Sequence, residues 1–177
     1  MSTFITQLKA VKVSAGSPEG AVTAERTADG YTFTINPDIA RNLDEAALAG
    51  ELEAAWTAAM RRYSARVRQI RAESRRNRSP STPTAPYLER KSRYRDALTD
   101  IEVTRQSPRD QVRVGVYGDG DIYVTITPGA VMRMGGGFTT LTAEATEVVN
   151  AAMAEYRTKV REVHKEIYDR PGENHGR

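Results

Sequence analysis

The feature that most constrains how this chain can fold is a pattern stated twice, at a shift of about 90 residues. Val11 and Val13 answer Ile101 and Val103, Ser17 and Pro18 answer Ser107 and Pro108, and Val22 answers Val112. Asp29 and Gly30 answer Asp119 and Gly120, and Ile35 and Pro37 answer Ile126 and Pro128. The apolar positions Leu48, Leu52, Ala55, Ala59, Tyr63, Val67 and Ile70 then match Leu141, Ala145, Val148, Ala152, Tyr156, Val160 and Val163 at constant offset. Two amphipathic helices share a period of about 3.6 residues by chance alone. Chance does not also reproduce the Ser-Pro, Asp-Gly and Pro landmarks in the same order.

Each copy reads as three short strands followed by a long helix. In the second copy Ile101 and Val103 alternate, then Val112, Val114 and Val116, then Ile122, Val124 and Ile126, which buries one face of a sheet at period two. The first copy repeats this with Val11 and Val13, Val22 and Ala24, and Tyr31, Phe33 and Ile35. The Asp-Gly pairs suit hairpin turns because both residues tolerate positive φ, and Pro37 and Pro128 close the third strands because proline donates nothing to a ladder. Helices are predicted from about Asp44 to Arg76 and from about Thr140 to Tyr168, with Asp44 and Thr140 or Thr142 as N-caps and Glu144 in a first turn.

The fold class is therefore α+β: two βββα repeats, each an antiparallel three-stranded sheet plus a long helix, forming a pseudo-twofold intramolecular dimer. One such unit buries little apolar area and leaves strand edges open, whereas two can share a core. The expected divisions are a first repeat over 1–78, a Pro/Ser/Thr linker over 79–86, a second repeat over 87–170 and a frayed tail over 171–177. A short charged helix is expected from Tyr87 to Leu98, ahead of the second repeat's first strand.

The chain has 177 residues and no cysteine, which removes disulfides, thiol nucleophiles and thiolate metal sites. No stretch reads as a membrane span, and no basic region followed by an apolar run opens the chain, so the expected location is the cytoplasm. His164 and His175 are too far apart for a helical metal pair. Gly135 to Gly137 lack the following Gly-Lys-Ser/Thr of a phosphate loop, and Gly118 to Asp121 lack the remaining ligands of a calcium loop. Paired carboxylates such as Glu51 and Glu53, or Asp119 and Asp121, form no recognisable catalytic pattern, and Trp56 reads as core or interface. The expectation is a protein without enzymatic activity, metal or cofactor.

Net charge is only +3, but it is concentrated. Between Arg61 and Asp96 lie Arg61, Arg62, Arg66, Arg68, Arg71, Arg75, Arg76, Arg78, Arg90, Lys91, Arg93 and Arg95, against Glu73, Glu89 and Asp96. A cluster of this kind is a candidate surface for a polyanion. Arg61, Arg68, Arg71, Arg75 and Arg78 recur at helical spacing beside the seam of Tyr63, Val67 and Ile70, spread over roughly 25 Å at ~1.5 Å per residue. Arg61, Arg62, Arg68, Arg71, Arg75, Arg76, Arg78, Lys91 and Arg93 are the candidate contacts to double-stranded DNA. The competing reading pairs these arginines with acids of the other half, such as Glu155, Glu162 and Glu166.

The order of a strand, a small-residue turn, a second strand, a turn and a third strand closing on Ile35, Asn36, Pro37 and Asp38 resembles the YbaB/EbfC nucleoid-associated proteins. The acidic loop and the alanine-rich helix from Leu48 to Tyr63 extend the resemblance, which covers Val11 to Ile70 well and Leu98 to Ile167 moderately. It implies a small dimeric α/β protein that binds DNA with little sequence preference. Two departures stand out: the family's long N-terminal helix is nearly absent before Val11, and two units occur in one chain. Some proteins resembling this family are accessory or chaperone-like factors of actinobacterial type VII secretion, which makes a protein client the alternative partner. A third possible function is that of a phage or plasmid structural component with a borrowed fold. Whether the fused unit dimerises again is left open by the sequence.

Overall fold

A computed structural model of the protein describes residues 4–75, 84–118, 120–133 and 137–169. The order is α1 (Phe4–Lys9), β1 (Val13–Gly16), β2 (Val22–Arg26), β3 (Tyr31–Ile35), α2 (Pro37–Ala40) and α3 (Glu45–Arg75). There follow α4 (Ala85–Thr99), β4 (Glu102–Gln106), β5 (Val112–Tyr117), β6 (Asp121–Ile126), α5 (Ala130–Arg133) and α6 (Gly137–Tyr168). Two antiparallel sheets result, ordered β1-β2-β3 and β4-β5-β6, each followed by a long helix. The two βββα units read from the sequence are both present.

The shared landmarks have structural work to do. Ser17 and Ser107 lie at the ends of the β1–β2 and β4–β5 connections, where the backbone N–H of each donates to the carbonyl of Val22 or Val112. Each hydroxyl also accepts that valine's N–H, at 3.0 Å from Val22 and 3.1 Å from Val112. Both turns need one residue at positive φ, supplied by Gly20 (75°) and by Asp110 (57°). Under each turn a helix buries a glutamate, Glu51 or Glu144. Glu51 accepts from the Ser17 hydroxyl and the Glu19 N–H, while Glu144 lies 3.7 Å from the Arg109 guanidinium.

Asp44 caps α3, accepting from the Ala47 N–H at 2.7 Å. The caps expected for the second helix are not its caps. That helix begins at Gly137, so Thr140 and Thr142 lie inside it, and Thr142 donates back to the Phe138 carbonyl at 2.7 Å. Glu144 is buried two turns in rather than exposed in a first turn. The hairpin glycine at 30 also differs from expectation, since it does not adopt positive φ. It is glycine for a steric reason: a Cβ there would come within 2.5 Å of Asn150 Oδ1. The segment read as a linker gives up its last two residues to α4, which starts at Ala85 with a proline in its first turn. The tail after Arg170 lies outside the described residues.

A single hydrophobic core joins both units, with Trp56, Leu48 and Leu52 of the first in the same cluster as Val114, Leu141 and Val148 of the second. The helices cross between units. α3 packs on β1 and β2 and also on β6, while α6 packs on β4 and β5 and also on β3.

This exchange covers the outer edges of β3 and β6, which would otherwise present unpaired backbone groups. Thr146 of α6 accepts the Phe33 N–H at 3.2 Å, and Glu53 of α3 accepts the Val124 N–H at 3.2 Å. In the repeat alignment Thr146 corresponds to Glu53 and Phe33 to Val124, so the two bonds are one interaction made twice. Asn150 adds a second clamp: Oδ1 accepts the Tyr31 N–H and Nδ2 donates to the Tyr31 carbonyl, both at 2.8 Å.

Candidate polyanion-binding surface

The first half of α3 is committed to the core, with Leu48, Leu52, Ala55, Trp56 and Ala59 buried. From Arg61 onward Ile70 alone is buried among the described residues, and the rest of the helix forms an arm. The arm carries Arg61, Arg62, Arg66, Arg68, Arg71 and Arg75 against Glu73. At ~100° per residue Arg61 and Arg68 lie on the side opposite Tyr63, Val67 and Ile70, and Arg71 lies between Arg68 and Val67. Arg71 thus borders the seam, as the sequence pattern set it, while Arg61 and Arg68 face away from it.

Arg61, Arg68 and Arg71 are exposed and make no ion pair or hydrogen bond among the described residues. Arg62 and Arg66 flank the buried face and are engaged locally. Arg62 donates to the Ser14 carbonyl at 2.6 Å, tying the arm to β1, and Arg66 donates to Gln69 Oε1 at 2.8 Å. Arg75 ends the helix. Arg76 and Arg78 lie outside the described residues.

Lys91 and Arg93 are exposed, on a different support. α4 packs on α6, whereas the arm of α3 packs on α1. Arg93 lines a groove of about 530 Å³ between α4 and α6 together with Asp96, Asp100 and Glu166. The acids proposed as internal partners for the arm are placed elsewhere. Glu155 forms ion pairs with Arg105 and Lys159, and Glu162 forms none among the described residues.

Trp56 is fully buried and meets Tyr31 edge to face, with ring centroids 6.0 Å apart. His164 is exposed on α6, stacked on Tyr168 and edge-on to Tyr94. His175 lies outside the described residues. Among the described residues no three or more His, Cys, Asp or Glu side chains are grouped to hold a metal, and no helix is long and apolar enough to cross a membrane.

The sequence pattern overlooked two groups of residues. Glu53, Thr146 and Asn150, which close the sheet edges, are polar positions next to the apolar seam, with 53 and 146 equivalent in the repeat. Arg26 is buried at the end of β2; period two from Val22 and Ala24 already directs it inward. Comparison with protein-family models, with curated proteins and with solved structures finds no match for the chain, so the likeness to the YbaB/EbfC proteins rests on the residues quoted above.

Proposed function

We propose that this protein is a non-enzymatic, nucleoid-associated DNA-binding protein of YbaB/EbfC type, in which two fused units form a pseudo-twofold intramolecular dimer. The reciprocal crossing of α3 and α6, with equivalent side chains closing equivalent strand edges, supports the twofold relation. The observation that carries the function is the exposed arm of α3, where Arg61, Arg68 and Arg71 face solvent without an acidic partner among the described residues. Arginine suits this surface because its planar fork donates two hydrogen bonds to one phosphate. Arg61 and Arg71 are about 15 Å apart along the helix, a span that follows the backbone rather than a base edge. The partner is double-stranded DNA, read through its phosphates, and the location implied is the nucleoid.

Gel-shift titration of random duplex at rising salt tests this. The wild-type protein shifts duplex at about 50 mM salt and loses affinity steeply as salt is raised, through counterion release. Changing Arg61, Arg68 and Arg71 together to glutamate weakens binding by at least about tenfold, with the circular-dichroism spectrum and melting temperature retained. A wild-type protein that gives no shift at low salt refutes the reading.

A second reading, an accessory factor of a type VII secretion system with a protein client, is favoured by Tyr87 and Leu88, two large apolar side chains exposed on α4. Their replacement by serine leaves duplex binding unchanged if DNA is the partner.

A further inference from the structure

The second sheet turns a different set of side chains to solvent from the first. Its inner face belongs to the core, where Val103, Val114, Val116 and Val124 are buried. Alternation therefore directs Thr104, Arg113, Gly115, Tyr117, Tyr123 and Thr125 outward. Thr104, Arg113 and Thr125 are exposed, and both tyrosines are half-buried. Register sets Gly115 between Thr104 and Tyr123, and Arg113 opposite Thr125.

Tyr123 lies across β5. A Cβ at Gly115 would come within 1.9 Å of Tyr123 Cε1, so glycine alone leaves the ring its place. Tyr117 stands beside it on the same face, with ring centroids 5.4 Å apart and planes within 16° of parallel. The Tyr117 hydroxyl is raised from its ordinary pKa, first by its hydrogen bond with Tyr123, which ties the two rings together. The pair makes one aromatic platform on the solvent side of the sheet.

The first unit shows which of these residues the fold requires. There Glu25 pairs with Thr32 where Gly115 pairs with Tyr123, and Thr27 and Thr23 stand where the second unit has Tyr117 and Arg113. A glycine within a strand weakens it, and a ring laid over the glycine covers the gap. That cover takes Tyr123 alone; Tyr117 and Arg113 are no part of it.

The two ends of the platform differ in charge. Arg113 lies two residues from Gly115, ~6.6 Å along the strand at ~3.3 Å per residue. Its Nη2 donates to Gln106 Oε1 at 3.3 Å, and it forms no ion pair among the described residues. With Gln106 and Thr125 it lines a cavity of about 280 Å³, which Asp110 also lines without pairing with it. At the other end Tyr117 is flanked in register by Glu102 and Asp121.

We propose that the outer face of β4-β5-β6 binds single-stranded nucleic acid, with one base stacked on Tyr117 and Tyr123 and its phosphate held by Arg113. The amino groups of a base donate to carboxylates, and a phosphate accepts from a guanidinium. The order of groups along the face thus matches one nucleotide, laid with its base toward Glu102 and Asp121. Stacking on tyrosine needs a base outside a base-paired stack, which a single strand offers and a duplex does not. The platform is open, which admits a continuous strand, whereas a small ligand is held by burying most of its surface. The site shares no residue with the arm of α3 and does not depend on the duplex reading.

The test follows the fluorescence anisotropy of a labelled single-stranded oligoadenylate of about twelve nucleotides with the full chain as wild type, Tyr117→Thr, Arg113→Thr and Tyr117→Phe. Both threonines are the residues of the first unit at outward positions, so the melting temperature is retained. Each threonine variant binds the oligoadenylate at least about fivefold more weakly, and Tyr117→Phe, which keeps the ring, binds as wild type does. The same loss appears when Tyr117→Thr is added to the Arg61, Arg68 and Arg71 charge-reversal variant, so the α3 arm does not account for it. Random duplex, whose bases are paired, is bound equally by wild type and Tyr117→Thr.

A wild-type protein without affinity for the oligoadenylate at about 50 mM salt overturns the proposal. So does a Tyr117→Thr variant that binds it as wild type does, or one that loses duplex binding to the same degree. Displacement of the oligoadenylate by AMP at equal nucleotide concentration also overturns it, by assigning the platform to a free nucleotide. Binding of the oligoadenylate but not of duplex by the wild type supports this site while refuting the duplex reading.

Discussion

The two units share their scaffold and differ in where they place charge. Both keep a serine that ties off the first turn, a helix glutamate buried beneath it, and a helix side chain that closes the other unit's sheet edge. They part at Arg26 against Val116, and along the ends of their helices. α6 ends in His164 and Tyr168, which form an aromatic cluster with Tyr94 of α4, whereas the equivalent α3 positions are Arg71 and Arg75. At these positions the second unit has spent its divergence on packing and the first on cations. The charges of the first unit there have no counterpart at the matching positions of the second.

The comparison breaks most sharply if the units are independently stable. Trp56, fully buried in the first unit, aligns with Val149, buried in the second. Trp56→Ala should cost about 3–5 kcal/mol and Val149→Ala about 2 kcal/mol. Because one core holds both residues, each variant should unfold in a single transition, with fluorescence and circular dichroism coincident in urea. Two separated transitions, with only the mutated unit destabilised, would show that the shared interior is not cooperative.

The edge clamps sharpen it next. Asn150 satisfies both backbone groups of Tyr31, while the side chain of Thr57, its counterpart on α3, makes no hydrogen bond among the described residues. Asn150→Ala should cost about 2 kcal/mol and accelerate exchange of the Tyr31 amide, with Thr57→Ala within about 0.5 kcal/mol of wild type. Equal effects in urea denaturation would mean that the β3 edge is held by something other than this side chain.

Much of this architecture is legible in the sequence because it is carried by local periodicity. Alternating valines place β5 and β6, three-and-four spacing places α3 and α6, and the proline landmarks mark where the third strands stop. The contacts that matter for function are not local. Nothing in the pattern around Thr146 says that it meets Phe33, because that pairing depends on the helix of one unit crossing to the sheet of the other. Arg26 was hidden by composition: counted with surface cations, it passes for one more solvated charge, although its alternation with Val22 and Ala24 points inward. The arm of α3 shows the converse. Its arginine spacing was readable, and with it the direction of Arg61 and Arg68 away from Tyr63 and Ile70, but that this side faces solvent follows only when the helix is laid against β1 and α1.

The smallest expected effect concerns the ends of the two long helices. In the repeat alignment Phe4 corresponds to Tyr94, so α1 is the counterpart of the last turns of α4, and each packs on its own unit's long helix. Tyr94 sits with its ring centroid 5.9 Å from that of His164 and 5.8 Å from that of Tyr168. Phe4 is 37% exposed, and the positions that match His164 and Tyr168 in the sequence are Arg71 and Arg75. Tyr94→Ala should therefore cost about 1 kcal/mol, from lost ring–ring contact. It should also speed amide exchange along α4 and the end of α6 without touching the core strands, since local opening of a terminal helix does not require global unfolding. Phe4→Ala should stay within about 0.5 kcal/mol of wild type. If instead Phe4→Ala matches Tyr94→Ala in both readouts, then α1 braces the arginine arm as firmly as α4 braces α6. The arm would then be as stiffly presented as any other surface of the fold, and its exposure would reflect the direction of its side chains alone.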